Sequence, residues 1–180
     1  MCWSAQRSQG ARRNYKIALP EPDDHALGRS RGGWTTKIHA LVDHLLRPVG
    51  VILTAGQSGD NPQLVPLLDA YQAAVRRSGR HFHLLADKAY SHPSTRRELR
   101  SRRIRHTIPE RRDQKELRAA KGSKGGRPPG FDRALYAERN TIERGIGRIK
   151  HWRGVATRYD KYALTFLGGV LLAATVQYRR

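Results

Sequence analysis

The sequence predicts an α/β protein with a mixed sheet, and three observations support this fold class. Residues 35–42 alternate between inward and outward side chains and are followed by an apolar, β-branched run at 49–54, a pattern typical of a β-hairpin. Residues 81–90 carry a second apolar strand pattern, with a basic helix and a short strand after it. Helical spacings are found at 64–75, 131–152 and 162–176. The 180 residues suffice for one domain with a real core.

The composition is strongly basic. There are 35 Lys and Arg residues against 15 Asp and Glu, which gives a formal net charge of +20. Such a chain attracts polyanions, so nucleic acid is the first partner to consider and an anionic membrane the second, with a merely basic protein as the alternative. The single cysteine, Cys2, excludes an internal disulfide framework and a cysteine-based zinc site and is compatible with a reducing cytoplasm. Any metal would need carboxylate or histidine ligands.

Membrane insertion is not expected. The first residues are polar and basic and no apolar run follows them, so no signal peptide is visible. The longest apolar run, 162–176, contains Gly168 and Gly169 and falls short of the ~20 residues that a bilayer span needs. We therefore expect 162–176 to be a core helix.

Most of residues 1–33 are expected to form loop, because glycine and proline recur there, although a short strand is an option near Cys2 to Arg7. Within this region Arg29 and Arg31 lie among glycines. Such a segment either wraps a phosphate chain or is simply mobile.

Two further positions between 43 and 63 affect the prediction. The turn at 43–46 lacks the glycine that would be expected between the two hairpin strands, so the hairpin is less certain. Asp60 precedes Pro62 and a helical pattern, so it is predicted as an N-cap rather than a catalytic acid.

Asp87 follows the apolar residues of the strand predicted at 81–90. A carboxylate at the carboxyl end of a central strand is costly to bury unless it is paired or binds a metal, so Asp87 is a site candidate. The alternative is that Asp87 pairs with Lys88 or caps the helix that starts near Ser91. His81 and His83 share this strand and are more often structural than metal-binding in such a setting.

The segment 111–130 contains Arg111, Arg112 and five further basic residues, followed by glycines and prolines. We expect a poorly ordered basic loop, inserted after a helix at 95–103 and a strand at 104–108. It would either track a phosphate backbone or act as a solvated linker.

A helix predicted at 131–152 carries an unusual charged stripe. At about 100° per residue, one face presents Tyr136, Arg139, Glu143 and Lys150. Its apolar neighbour contains Leu135, Ile142, Ile146 and Ile149. The charged stripe is either a metal-binding acid with basic residues that grip a polyanion or a surface ladder of ion pairs.

The spacing from Tyr136 through Arg139 and Glu143 to Lys150 resembles the signature of bacterial insertion-sequence DDE transposases. Further segments look like the catalytic half of that family: ALGRSRGGWTTKIHALVD (26–43), LTAGQSGDNPQ (53–63), LLADKAYS (84–91), IPERRDQ (108–114), KGGRPPGFD (124–132) and WRGVATRYDK (152–161). The resemblance covers nearly the whole chain, residues 1–180 as a single domain.

The resemblance implies an RNase H-like mixed sheet with flanking helices, in which three acids from separate elements hold two Mg²⁺ ions, or Mn²⁺ in their place. Such a pair of metals activates a water or a 3′-hydroxyl for in-line attack on a phosphodiester. By position in the motifs, Asp87 would be the second acid and Glu143 the third. Tyr136, Arg139 and Lys150 would contact DNA near the scissile phosphate.

One departure from the family pattern bears on activity. The family's first acid lies upstream of a segment like CWSAQRSQGARR (2–13), so it would precede Met1. The other acids upstream of Asp87 lie in loops, at a hairpin turn or at a cap: Asp23, Asp24, Asp43 and Asp60. We therefore expect this polypeptide alone not to cleave DNA.

The expected partner is double-stranded DNA, both transposon ends and target, in a bacterial cytoplasm at the nucleoid. A homo-oligomer or an assembly with full-length transposase is also expected. Two alternatives stay open: a non-enzymatic DNA-binding remnant or regulator, and a basic RNA-binding protein.

Overall fold

A computed structural model describes residues 2–7, 25–75 and 82–178, with side chains at 25–72 and 82–178. The strands are β1 (Cys2–Arg7), β2 (Gly28–Ser30), β3 (Gly33–Val42), β4 (Pro48–Ala55), β5 (His83–Leu85), β6 (Arg105–Thr107) and β7 (Thr157–Arg158). The helices are α1 (Leu64–Val75), α2 (Pro93–Ser101), α3 (Arg112–Ala120), α4 (Arg133–Ala137), α5 (Asn140–Lys150), α6 (Arg153–Ala156) and α7 (Ala163–Gln177). The mixed α/β class is confirmed.

The chain divides into two compact units. The first unit comprises Met1–Gly59 with Thr141–Arg180, and the second unit comprises Asp60–Asn140. The organisation into a single domain stays a prediction. Among the described residues, no helix has the length and apolar character needed to cross a bilayer.

The first unit is built on a five-stranded mixed sheet. Strand β3 pairs antiparallel with β1, β2 and β4, and β1 pairs parallel with β7. The hairpin predicted at 35–54 and the strand at Cys2–Arg7 are confirmed. The prediction of loop at 28–33 is wrong for most of that stretch, because Arg29 pairs with Trp34 and Ser30 with Gly33 across a tight turn.

Asp43 explains how the β3–β4 hairpin turns without glycine. Its Oδ1 accepts hydrogen bonds from the backbone amides of Leu45 and Arg47, both at 2.9 Å. Its Oδ2 accepts from the Arg47 guanidinium at 2.7 and 2.8 Å. Leu46 takes the left-handed conformation, with φ of 67°, at a cost of roughly 1–2 kcal/mol for a side chain other than glycine. The Asp43 carboxylate offsets that cost by binding three groups of the turn.

The core of the first unit lies between this sheet and helices α5, α6 and α7. It contains Ile38, Ile149, Val155, Phe166, Val170 and Ala173. The prediction of a core helix near 162–176 is confirmed, since one side of α7 is fully covered.

In the second unit, β5 and β6 pair in parallel as a separate two-stranded sheet. Helix α2 connects them, as the predicted order of strand, helix and strand requires. The prediction that 81–90 forms a central strand is wrong within 82–90. The strand ends at Leu85, and a short 3₁₀ helix, Lys88–Tyr90, follows because the Asp87 carboxylate caps it.

The prediction of a poorly ordered basic loop at 111–130 is wrong for 112–125, whereas 126–130 form no regular element. Residues 112–120 form α3, because Gln, Lys, Glu, Leu, Arg and Ala in this stretch all favour helix, and a 3₁₀ turn, Gly122–Gly125, follows. Within α3, Arg112 Nε donates to the Glu116 carboxylate at 2.6 Å, one turn away. Glycine and proline end the regular structure only after this turn.

The single helix predicted at 131–152 is divided into α4 and α5. Asp132 caps α4 by accepting from the amide of Leu135 at 3.0 Å. The amides of Glu138 and Arg139 bond three residues back, to Leu135 and Tyr136, which closes the helix as a 3₁₀ turn. Asn140 and the following threonine have low helix propensity and favour a new helix start.

Gly145 sets how closely α5 approaches the β3–β4 hairpin. A Cβ at this position would lie 2.6 Å from Val42 Cγ1 and 3.2 Å from the Leu46 carbonyl oxygen. Val is stiff at χ1 and the second contact is backbone, so neither neighbour gives way easily. Gly147 lies two residues later on the same helix, and outside that helix no described residue lies within 4 Å of such a Cβ there.

We expect Gly145→Ala and Gly147→Ala to change stability in opposite directions. The first overpacks the contact with Val42 and should lower the free energy of unfolding by about 1–3 kcal/mol. The second only gains helix propensity and should raise it by up to ~1 kcal/mol. Urea unfolding followed by circular dichroism measures both, and equal effects would contradict the close packing of α5 on the hairpin.

Candidate active site

Asp87 stands immediately beyond the β5–β6 strand pair. The Ala86 amide donates to the Thr107 carbonyl at 3.4 Å, which extends the pairing to the residue before Asp87. Asp87 Oδ1 accepts from the Ala89 amide at 2.8 Å. Among the described residues, Oδ2 accepts no hydrogen bond. The half-buried carboxylate is therefore fixed through one oxygen and presents the other.

The Ser91 carbonyl holds the turn that carries Asp87. Arg96 is buried and donates from Nε to the Ser91 carbonyl at 3.4 Å and from NH2 to the Ile108 carbonyl at 2.8 Å. Gln114 adds a second bond to the Ser91 carbonyl at 3.2 Å. Burial lowers the pKa of Arg96, and the carboxylate of Glu110 opposes that shift. One guanidinium thus joins the end of the Asp87 turn to the end of β6.

Two half-buried histidines lie in the strands that support Asp87. His83 shares a 2.9 Å hydrogen bond with the Thr107 hydroxyl, and His106 Nδ1 donates to the Ile104 carbonyl at 3.1 Å. Burial lowers the pKa of both rings, and the positive charge of Arg105 near His83 and of Arg96 near His106 adds to the effect. The structural role predicted for His83 fits these contacts, whereas His81 lies outside the described residues.

Glu143 and Lys150 are exposed on α5 in the first unit, seven residues apart and therefore on the same face. Glu143 lies in the first helical turn, where a carboxylate is favoured by the helix dipole. Ile146 and Ile149 of the predicted apolar stripe are buried, as the sequence indicates. The α5 portion of the charged stripe is thus confirmed as a face beside the core.

Tyr136 and Arg139 belong to the second unit and form their own cluster. The Arg139 guanidinium lies 5.5 Å from the centroid of the Tyr136 ring. The Phe131 and Tyr136 rings are tilted relative to each other, with their centroids 5.1 Å apart. Because α4 ends before Arg139, helical periodicity does not place these two side chains on the face of Glu143 and Lys150. The prediction of one continuous helix beneath the four residues is wrong, and their place on a common face stays a prediction.

The four arginines predicted to bind DNA differ in their present contacts. Arg111 Nε lies 3.4 Å from the Asp113 carboxylate, and Arg112 pairs with Glu116 as described above. Both pairs are exposed, and such pairs contribute little, so a phosphate can compete for either arginine. Within the described residues, the exposed side chains of Arg29 and Arg31 form no ion pair.

The residues described here contain no group of three or more His, Cys, Asp or Glu side chains able to hold a metal ion. Asp43 uses both oxygens in the hairpin turn. Asp60 occupies the predicted N-cap position, although its side chain makes no capping bond to the short helix Asn61–Gln63. Asp23 and Asp24 lie outside the described residues.

Sequence motifs do not identify three residues of structural or functional interest. Arg96 and Arg158 are arginines in a basic chain, and no local pattern distinguishes a buried guanidinium from an exposed one. Trp34 lies at an alternating strand position, where an indole is as compatible with the core as with the surface, yet it is 61% exposed.

Comparison with known proteins agrees with the motifs. Residues 9–176 match the family described as Transposase DDE domain. A Brucella ovis protein that carries the name of a transposase for insertion sequence element IS6501 is 31% identical over 146 residues, which is 81% of this chain and 99% of that relative. No solved structure shows significant similarity to the chain.

We expect acidification to loosen the strand pair beneath Asp87. Because burial depresses the pKa of His83 and His106, the folded state favours neutral rings, while the unfolded chain takes up protons near pH 6.5. The free energy of unfolding therefore keeps its full value above about pH 6.5 and decreases as the pH falls below it. Amide exchange at Leu84 and Thr107, which face each other's strand in this register, should therefore be faster at about pH 5.5 than at about pH 7.5 once it is corrected for intrinsic rates.

The control for this pH dependence is a pair of variants. His83→Gln with His106→Gln should weaken the dependence, and His44→Gln, at an exposed histidine of the first unit, should leave it as in the unmodified chain. An unchanged dependence in the double variant would show that the two rings do not cause it.

Proposed function

From the premise that this chain belongs to the insertion-sequence transposases with a DDE domain, we propose that it provides acids and DNA contacts for metal-dependent phosphodiester hydrolysis and strand transfer at transposon ends. The observation that carries this proposal is the family match over 9–176, which includes an Asp87 held in a fixed turn with one carboxylate oxygen presented. The RNase H-like architecture is part of the proposal, supported by the mixed sheet of the first unit and the parallel pair β5–β6.

Asp87 and Glu143 are the proposed metal ligands and the second and third acids of the site. Both are carboxylates, which suit a hard cation such as Mg²⁺ or Mn²⁺. A pair of such ions supplies an activated water or 3′-hydroxyl and stabilises the leaving oxygen. Asp87 fits this role because Arg96 and Gln114 fix its turn while Oδ2 stays available. Glu143 fits because it is exposed on α5, which packs closely against the β3–β4 hairpin at Gly145.

The proposed DNA contacts lie on both units. Lys150 follows Glu143 by two helical turns, and Tyr136 presents a ring on which Arg139 already stacks. Arg29, Arg31, Arg111 and Arg112 supply exposed charge that suits a phosphate backbone, and the net charge of +20 favours that partner throughout. A homo-oligomer or an assembly with full-length transposase, and association with the nucleoid in the cytoplasm, belong to the same proposal.

The chain by itself is proposed not to complete the catalytic site. Three acids are needed in the proposed site, and by position in the motifs Asp87 and Glu143 supply the second and third. Asp43 is engaged by its own turn. A DNA-binding remnant or regulator is the second candidate function, and it is favoured by this same observation together with the basic charge.

We expect the purified chain to bind a duplex that contains the insertion-sequence end and to leave it uncut with Mg²⁺ or Mn²⁺. Nicking is measured on a labelled duplex, with Glu143→Gln as the site variant. Glu138→Gln is the matched control, because Glu138 is an exposed acid in the turn between α4 and α5. Site-specific nicking that is lost only in Glu143→Gln would overturn the expected inactivity and the remnant function, and would support Glu143 as a catalytic acid.

We also expect Asp87 to bind a divalent cation without DNA. Mn²⁺ should broaden the amide resonances of residues 86–90 in a titration followed by NMR, since a paramagnetic ion relaxes nearby nuclei. Asp87→Asn should remove the broadening, because the amide is a much weaker ligand than the carboxylate. Asp113→Asn, at an exposed acid of α3, should leave it unchanged. Broadening that persists in Asp87→Asn would exclude Asp87 as the ligand.

A further inference from the structure

The tip of the β2–β3 hairpin, residues 29–34, presents an exposed indole between two arginines. Arg29 and Trp34 are directly paired across the strands, so their side chains leave the same face of the sheet as close neighbours. Arg31 lies in the turn itself and is exposed. Trp34 is 61% exposed, which is unusual for the largest apolar side chain in a strand.

Hydrogen bonds within the turn hold the tip in a defined conformation. The Ser30 hydroxyl donates to the Gly33 carbonyl at 3.1 Å and accepts from the Gly32 amide at 3.3 Å. Gly33 has φ of 104°, a conformation that favours glycine, so the chain can turn directly into β3. Trp34 thus follows a turn that is held by the two hydrogen bonds of the Ser30 hydroxyl.

The base of the hairpin is packed closely against the segment that follows β4. A Cβ at Gly56 would lie 2.0 Å from Thr35 Oγ1 and 2.9 Å from the Gly28 carbonyl oxygen, so the backbones meet directly. The Gly56 amide also donates to the Thr35 carbonyl at 3.1 Å. The closely packed base thus supports a hydrogen-bonded tip from which the Trp34 ring is exposed.

The surroundings of the ring point to a negatively charged, flat partner. Within the described residues, the side chains of Arg29 and Arg31 make no ion pair and the Trp34 ring makes no aromatic or cation–π contact. An aromatic face flanked by positive charge is the combination that binds single-stranded nucleic acid, because the base stacks while the phosphates pair with the cations. The net charge of +20 favours a polyanion as this partner.

We propose that Trp34 is a stacking platform for an unpaired DNA base, with Arg29 and Arg31 on the adjoining phosphates. This inference rests on the proposed function, in which strand cleavage at a DNA end leaves a terminal base without one of its stacking neighbours. A base inside an intact duplex has both faces covered, and inserting an indole there costs unstacking energy. The tip therefore selects the broken or frayed end over the continuous duplex.

The test compares a blunt duplex with the same duplex carrying a three-nucleotide overhang, by fluorescence anisotropy with the whole chain. The unmodified chain should bind the overhang duplex about 5- to 150-fold more tightly, the range for stacking of one base. Replacing the overhang bases by abasic residues should remove that preference. Trp34→Ala should show no preference for any of the three duplexes, and Trp34→Phe should keep part of it.

Trp152→Ala is the matched control, since Trp152 is also an exposed indole and should leave the preference unchanged. The Trp34 variants should unfold at the same urea concentration as the unmodified chain, because the side chain is exposed. A preference that survives Trp34→Ala, or that Trp152→Ala abolishes as well, would overturn the inference.

Three further outcomes separate this inference from the proposed function and from its alternatives. Tight duplex binding without any gain from the overhang would overturn the role of Trp34 and leave the proposed function standing. Absence of binding to every duplex would overturn the DNA partner itself. A preference seen only when the overhang is made of ribonucleotides would assign the tip to RNA and overturn the choice of DNA.

Discussion

The fully buried guanidinium of Arg158 holds the first unit together through hydrogen bonds to carbonyl and hydroxyl oxygens. Arg158 donates to the carbonyls of Asp160 and Lys161 at 3.0 and 3.1 Å and to the Thr36 hydroxyl, and it lies 5.1 Å from the centroid of the Phe166 ring. Burying a charge is costly unless its hydrogen bonds are made, and here β3 and the chain between β7 and α7 supply the oxygens. The sheet that carries the exposed tip and the core that carries α5 therefore depend on one side chain.

The second unit also contains a buried arginine that donates to backbone carbonyls. Arg96 donates to the carbonyls of Ser91 and Ile108, and by doing so fixes the turn in which Asp87 caps its own 3₁₀ helix. In both units an arginine satisfies the backbone groups of a chain reversal that no regular element could pair. The basic composition thus has two physical parts: a few guanidiniums that organise the fold from within, and the exposed remainder that attracts a polyanion.

Sequence patterns predict this fold where the spacing of apolar residues, or the capping tendency of a polar side chain, fixes the local structure. The hairpin, α1, α2 and α7 follow from alternation or helical spacing, and the Asp87 turn follows from the capping tendency of aspartate. Patterns fail where charge density is taken for disorder, as at α3, whose residues are good helix formers. They also miss the buried Arg96 and Arg158 and the exposed Trp34, because burial is decided by tertiary contacts that the local sequence does not contain.

The division of the helix between Tyr136 and Glu143 changes what the four-residue signature means physically. In one continuous helix the spacing alone would fix all four side chains on one face. Here periodicity fixes only Glu143 relative to Lys150, while Tyr136 and Arg139 are held to each other by a ring contact. Spacing that is read along the sequence therefore reports two local arrangements joined by a turn at 138–139.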